Sequence, residues 1–170
     1  MNEAKGDLFT AQGSAFVITT NGYFTHRGAV MGRGCAKQLV DYFPDAPMQL
    51  KKALQEHGNH TQVFMDVGVP VIAFPVKPQY VVYDGNNVVT HAKHRYALGQ
   101  SVPGFHAKAC PELIQRSAIE LVELVNQTQG DKANIVMPRP GCGAGELDWD
   151  SHIKPILSAI LDDRFTVYTF

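Results

Sequence analysis

Pro138-Arg139-Pro140-Gly141-Cys142-Gly143-Ala144-Gly145-Glu146-Leu147-Asp148-Trp149 is the stretch on which the reading of this chain turns. An apolar run, Ala133 to Met137, precedes it and reads as a buried strand; a helical pattern from about Asp150 follows. Glycines at alternate positions leave the backbone bare between strand and helix. Bare backbone offers N–H groups to an anion, and the dipole of the following helix favours negative charge there. The spacing is neither that of a Walker loop, which needs Gly-Lys-Ser/Thr, nor that of a dinucleotide-binding fingerprint. Alone, the stretch is equally consistent with a structural turn.

A second stretch shifts that balance. Ser14 to Thr20 is β-branched and mostly apolar, reads as a buried strand, and ends at the turn signal Asn21-Gly22. Further on, Gly32-Arg33-Gly34 opens a helical pattern of Ala36, Leu39, Val40 and Phe43, which Pro44 stops. Two glycine turns, each after a strand and before a helix, suggest two walls around one extended phosphorylated ligand.

The rest of the chain supplies a frame. Pro47 to His57 reads as a polar helix; Gln62 to Asp66 and Val69 to Pro75 read as short strands forming a hairpin, with Lys77 just past the second. Lysine there is ordinarily a solvated side chain, although α/β sheets present functional groups at strand ends. Residues 79–109 are irregular and form a lid or hairpin insertion. Tyr80 to Tyr83 and Val88 to His91 are expected to pair across Asp84-Asn87. Basic and aromatic residues interleave over 91–108, a composition suited either to a solvated loop or to a nucleic-acid backbone and its bases. His91, His94, His106 and Cys110 match no strong zinc spacing, so no metal is expected. Pro111 to Thr128 carries one inward apolar stripe and reads as the clearest helix. A final helix, about Asp150 to Leu161, accommodates Pro155 poorly in its interior, and Arg164 to Phe170 closes the chain as a strand. Alternating strands and helices give an α/β class with a mixed sheet.

Composition narrows the partners. At 170 residues the chain is most simply one domain with one well-buried core. A net charge of −1 provides no global basic field, so nonspecific duplex binding is not implied. Cys35, Cys110 and Cys142 are odd in number and show no CxxC spacing, which favours reduced thiols. No run approaches the roughly 20 apolar residues of a membrane span, and the expectation is a soluble, cytoplasmic protein with no membrane partner.

Together these motifs resemble those of the macrodomain, the ADP-ribose-binding fold, over nearly the whole chain. Gly6-Asp7-Leu8 resembles its N-terminal motif, Val30-Met31-Gly32-Arg33-Gly34-Cys35-Ala36 its first phosphate loop and Met137-Pro138-Arg139-Pro140-Gly141-Cys142-Gly143 its second. The ending Thr166-Val167-Tyr168-Thr169-Phe170 is similar to the closing strand of one branch. That branch holds the terminal ADP-ribose protein glycohydrolase and bacterial antitoxins that remove ADP-ribose from DNA. The resemblance implies a three-layer α/β/α macrodomain with a central mixed β-sheet, spanning 1–170.

It also implies roles. Asp7, beside Leu8, would receive the adenine amino group, and Asn21 would lie near the distal ribose. Met31, Gly32, Arg33 and Gly34 would line one side of the diphosphate. Pro140, Gly141, Cys142, Gly143, Ala144 and Gly145 would line the other, and Tyr168 and Phe170 would pack near the adenosine. Lys77 matches the lysine this branch uses as a nucleophile on the distal ribose C1″. That role needs a pKa lowered by burial or a neighbouring cation. The lysine-dependent glycohydrolase carries an aspartate directly after the residue matching Ala144. Here that position is Gly145 and the acid follows as Glu146, the candidate proton-transfer group.

The expected function is hydrolysis of ADP-ribose from modified DNA or protein, without a cofactor. The basic segment 91–108 leans toward nucleic acid. The alternatives are a non-catalytic module binding ADP-ribose or a related NAD metabolite, and a phosphatase acting on ADP-ribose 1″-phosphate.

Overall fold

Apolar residues alternate along the central strands, so each strand sends side chains to two opposite faces. The computed structural model, describing Met1–Phe170, shows both faces covered by helices. In chain order the elements are β1 (Asn2–Lys5), β2 (Ala15–Asn21), β3 (Phe24–Thr25), β4 (Gly28–Ala29), α1 (Gly34–Tyr42) and α2 (Ala46–His57). There follow β5 (Gln62–Asp66), β6 (Pro70–Lys77), β7 (Tyr80–Val82), β8 (Ser101–Pro103) and α3 (Pro111–Thr128). The chain closes with β9 (Ile135–Pro138), α4 (Lys154–Ser158) and β10 (Phe165–Thr169). The main sheet has the order β1-β10-β9-β2-β6-β5, parallel throughout except for β5, which runs against β6.

Val17, Ile72, Phe74, Ile135 and Met137 face α3 and the segment from Trp149 to Leu161. Their sequence neighbours Ile18, Val71, Ala73 and Val136 face α1 and α2. Burial of each large aliphatic side chain, such as Ile114 or Leu121, contributes about 1.5–3 kcal/mol. This three-layer arrangement is the one the sequence predicts. No helix is long and apolar enough to cross a membrane.

Three local expectations are corrected. Val88–His91 does not pair with Tyr80–Tyr83 across the Asp84 turn; β7 pairs instead with β8. The Asp84 carboxylate does cap the turn, accepting from Asn86 N and Asn87 N. Beyond it, however, Val88, Val89 and Ala92 turn inward and form a small core with Val102. Hydrophobic burial thus overrides the hairpin signal, and the insertion is a folded unit. Second, Lys77 is the last residue of β6 and lies within the strand. Third, the last helix is interrupted. Trp149–Ile153 forms a widened π-type turn, and α4 begins only at Lys154. Pro155 then falls in the first turn of α4, where its missing N–H costs nothing.

The parallel strands β1, β10, β9, β2 and β6 all end at one edge of the sheet. The β2–β9 ladder stops at Phe16–Val136. Past that point β2 follows β6 as far as Lys77, while β9 follows β10 as far as Tyr168. The two halves of the sheet splay apart, and a crevice opens at the carboxyl ends of the strands.

Candidate functional site

That crevice is a cleft of about 600 Å³, a size suited to a ligand of several hundred daltons. One wall is Val30 to Ala36, leading into α1. The other is Gly141 to Gly145, and Asn21 and Lys77 lie at the base.

The glycines of the two walls have different jobs. At Gly141 and Gly145 the protein itself leaves no room. A Cβ on Gly141 would come within 2.8 Å of Ile114 Cδ1, and one on Gly145 within 2.6 Å of both Ala109 Cβ and the Gly141 carbonyl oxygen. Gly141 also holds a φ of 78°, a left-handed conformation costly to other residues. At Gly32 and Gly143 a Cβ would meet nothing within 4 Å. Bare backbone facing open space on both walls is what close approach of a ligand's phosphates requires.

Lys77 is 7% exposed. Its Nζ donates to the Phe105 carbonyl at 3.3 Å and the Ala144 carbonyl at 3.2 Å, linking the insertion to the second glycine loop. Burial brings its pKa down to about 8; the Arg33 guanidinium pushes the same way and Glu146 opposes. A bulge contributes to its placement. Thr20 pairs with Pro75 but Asn21 pairs with Lys77, so β6 carries one extra residue at Val76. Such bulges redirect side chains at the ends of strands. Asn21 Nδ2 donates to Val30 O at 3.1 Å and its Oδ1 accepts from Tyr23 N at 3.0 Å, fixing the start of the first wall.

The thiols are not poised to react. Burial pushes the Cys142 pKa up to about 11 and also raises that of Cys35, whose Sγ lies 3.4 Å from Thr19 Oγ1. All three cysteines are unpaired.

The insertion straps the two walls together. Arg33 on the first wall donates to His91 Nε2 at 3.0 Å, which makes that nitrogen an acceptor. Glu146, just past the second wall, accepts from Thr90 N at 2.7 Å and Thr90 Oγ1 at 2.6 Å. Thr90 and His91 are adjacent, so one dipeptide holds both walls. Phe105 and His106 of the insertion reach the cleft beside Lys77. Tyr23 packs edge-on against both Phe105 and Tyr80, with centroids 5.2 and 5.4 Å apart.

Of the residues singled out in the sequence, Asn21, Met31, Gly32, Arg33, Gly34 and Lys77 line this cleft. So do Gly141, Cys142, Gly143, Ala144, Gly145, Tyr168 and Phe170. Four do not. Leu8 is 2% exposed and belongs to the core, and Pro140 is buried behind its loop. Asp7 caps the short turn Leu8–Thr10, its Oδ1 accepting from Phe9 N at 2.9 Å. The Glu146 carboxylate is engaged by Thr90 instead of facing the cleft. Its φ of 62° is the single left-handed value on a non-glycine residue and turns the side chain toward the insertion.

Other lining residues carried little sequence signal. Arg139 stacks its guanidinium 4.9 Å above the Trp149 ring, whose Nε1 donates to Glu3 at 2.9 Å. Lys154 completes this cluster, 2.6 Å from Glu3. The sole tryptophan next to a glycine loop was the available clue. His91, Phe105 and His106 were visible only as part of a basic, aromatic segment.

Solved structures share this architecture over nearly all of the chain. The macrodomain of Mycobacterium tuberculosis DarG aligns with a TM-score of 0.67 at 21% identity, covering 99% of this chain and 97% of that one. The macrodomain of Thermus aquaticus DarG aligns at 0.65 and 20%, covering 99% and 96%. Thermosipho africanus DarTG in complex with ADP-ribose aligns at 0.65 and 18%, covering 98% of this chain and 41% of that one. No protein-family model and no curated protein sequence matches the chain. The parallel sheet with its single antiparallel edge strand, the helices on both faces and these alignments establish that the chain has the macrodomain fold.

Proposed function

We propose that the cleft binds ADP-ribose and that the protein hydrolyses the bond joining its distal ribose to a modified macromolecule. The observation that carries this reading is Lys77: a buried lysine at the base of a two-walled anion cleft, with a pKa of about 8. A solvated lysine would be almost wholly protonated at neutral pH and a poor nucleophile; this one supplies free amine in useful amounts. The open backbone at Gly32 and Gly143 supports diphosphate binding, and the relative solved with ADP-ribose supports the ligand. Held by both walls, the ligand's ribose is positioned over Lys77, and positioning is a large share of rate acceleration. The adenosine lies toward Tyr168 and Phe170. Glu146, held by Thr90, does not present its carboxylate to the ribose in this arrangement.

DNA is the favoured macromolecule. Arg33 and His91 line the cleft, and the insertion adds exposed Lys93, His94 and Arg95 and half-buried Lys108. Together with exposed Tyr80 they suit a single strand's phosphates and bases. Incubation with ADP-ribosylated DNA and, separately, ADP-ribosylated protein tests the reading. Release of ADP-ribose by the wild type and not by Lys77→Ala, which still binds ADP-ribose in titration calorimetry, is expected. Equal turnover by both proteins would eliminate the lysine mechanism.

One observation favours a second reading, a non-catalytic ADP-ribose reader: the acid nearest the site, Glu146, is tied to Thr90. Tight ADP-ribose binding with no release from either substrate is the outcome that selects it.

A further inference from the structure

The hydrolase reading leaves a chemical gap. Attack by Lys77 on C1″ requires a group to take the ammonium proton and return it to the leaving atom, and Glu146 is engaged elsewhere. His106 stands in the cleft wall beside Lys77, and the Lys77 ammonium donates to the carbonyl of the adjacent residue, Phe105. The imidazole is fixed from several sides. Tyr96 Oη lies 2.6 Å from its Nδ1; Phe105 packs edge-on at 4.5 Å, and His91 meets it edge-on at 6.1 Å. Its Nε2 makes no hydrogen bond within the protein. Tyr96 itself packs against the insertion's small core, so the orientation of the ring is built into the insertion's fold.

We propose that His106 is the proton-transfer residue of this site and that Tyr96 is its positioning residue. The inference rests on the hydrolase reading. With Nδ1–H donating to the Tyr96 oxygen, Nε2 carries the free lone pair. Nε2 takes a proton from the Lys77 ammonium; the amine forms the N–C1″ bond as the C1″ bond to the macromolecule breaks. The imidazolium then gives that proton to the leaving atom. In the second half water adds to C1″, its hydroxyl forming the new bond. Nε2 relays its proton to the departing Lys77 nitrogen, restoring the ammonium and free ADP-ribose. Atoms and charge balance, and no co-reactant beyond water is needed.

The surroundings favour the neutral imidazole that the first step needs. Burial lowers the His106 pKa, and the charges of Arg95, Lys77 and Arg33 add to that direction. A histidine whose charged neighbours are all cationic stays a base into mildly acidic solution.

The test is single-turnover release of ADP-ribose from the better of the two substrates by wild type, Lys77→Ala, His106→Ala and Tyr96→Phe. His106→Ala is expected to slow the chemical step by about 100-fold with ADP-ribose affinity within twofold, and added imidazole is expected to restore part of the rate. Tyr96→Phe is expected to retain the fold, slow the step less and move the acid limb of the pH profile. Full activity in His106→Ala, or a loss that imidazole does not relieve in a protein that still binds ADP-ribose, overturns the assignment and leaves Lys77 standing. An inactive wild type overturns the hydrolase reading, and this assignment with it.

Discussion

Glu146 and Thr90 are joined twice: the Glu146 carboxylate accepts from the Thr90 backbone at 2.7 Å and from its hydroxyl at 2.6 Å. The pair closes the second glycine loop onto the insertion, and the neighbouring contact of His91 with Arg33 closes the first. The cleft therefore has a third side that neither wall provides.

Loss of this clasp should loosen the insertion before it affects the core. Glu146→Gly removes the carboxylate and tolerates the φ of 62°. Hydrogen exchange at residues 86–95 should rise while the amides of β2 and β6 keep their protection; unchanged exchange at 86–95 would contradict the clasp. Hydrogen bonds from Thr90 lower the Glu146 pKa from its usual 4.5. A carboxylate with a depressed folded pKa contributes stability above its unfolded pKa and loses it as pH falls through the folded value. The clasp should therefore open only in acid, below about 4.5.

Activity should follow the state in which Lys77 and His106 together hold one proton. The rate should fall in acid, as His106 becomes protonated, and fall again above the Lys77 pKa of about 8, where that proton is lost. Stability should shift too. Between about 8 and the usual 10.5 the unfolded chain holds a proton on this lysine that the folded protein has lost, so unfolding free energy increases with pH across that window. Denaturant melts from pH 8 to 10 on wild type and Lys77→Met should show a steeper rise in the wild type.

Glycines at the cleft and at the base of the insertion should behave oppositely. Gly32→Ala and Gly143→Ala place a methyl group in open space, so melting should be nearly unchanged while ADP-ribose affinity falls about tenfold, equivalent to about 1.4 kcal/mol. Gly104→Ala sets a methyl group against the Pro78 carbonyl, where the insertion joins the sheet. It should cost about 1–3 kcal/mol of stability, as overpacking does. Calorimetric titration and denaturant melts on the same proteins separate the effects.

Returning the acid to the register of the lysine-dependent glycohydrolase should fail. In Gly145→Asp the Cβ would lie 2.6 Å from Ala109 Cβ and from the Gly141 carbonyl oxygen. The expected result is a displaced loop, weaker ADP-ribose binding and no gain in turnover. Gly145→Asp with faster release than wild type would contradict the geometry.

The sheet and its helices were legible in the sequence because local patterns and tertiary burial agree there. The 3.6-residue stripe of α3 and the apolar runs of β2, β6 and β9 each have one way to bury their side chains, and the two glycine turns mark where those strands give way to loops. The insertion was misread for the opposite reason. Asp84-Gly85-Asn86-Asn87 signals a hairpin, yet Val88 and Val89 gain more from burial against Val102 than from a ladder with β7. Asp7 and Glu146 are carboxylates in suggestive positions, but a side chain's direction depends on the nearest donors. Those are Phe9 N and Thr90, the latter distant in sequence.

By itself, then, the sequence determined the layers, the two glycine walls and the presence of a lysine at a strand end, because periodicity and bare backbone are local properties. Tertiary structure alone decided that Lys77 is desolvated, that Thr90 and His91 bind the two walls together, and that Tyr96 and His106 meet at the cleft. Each of these depends on which groups remote in the chain come within a few ångströms, and on how much water is excluded when they do.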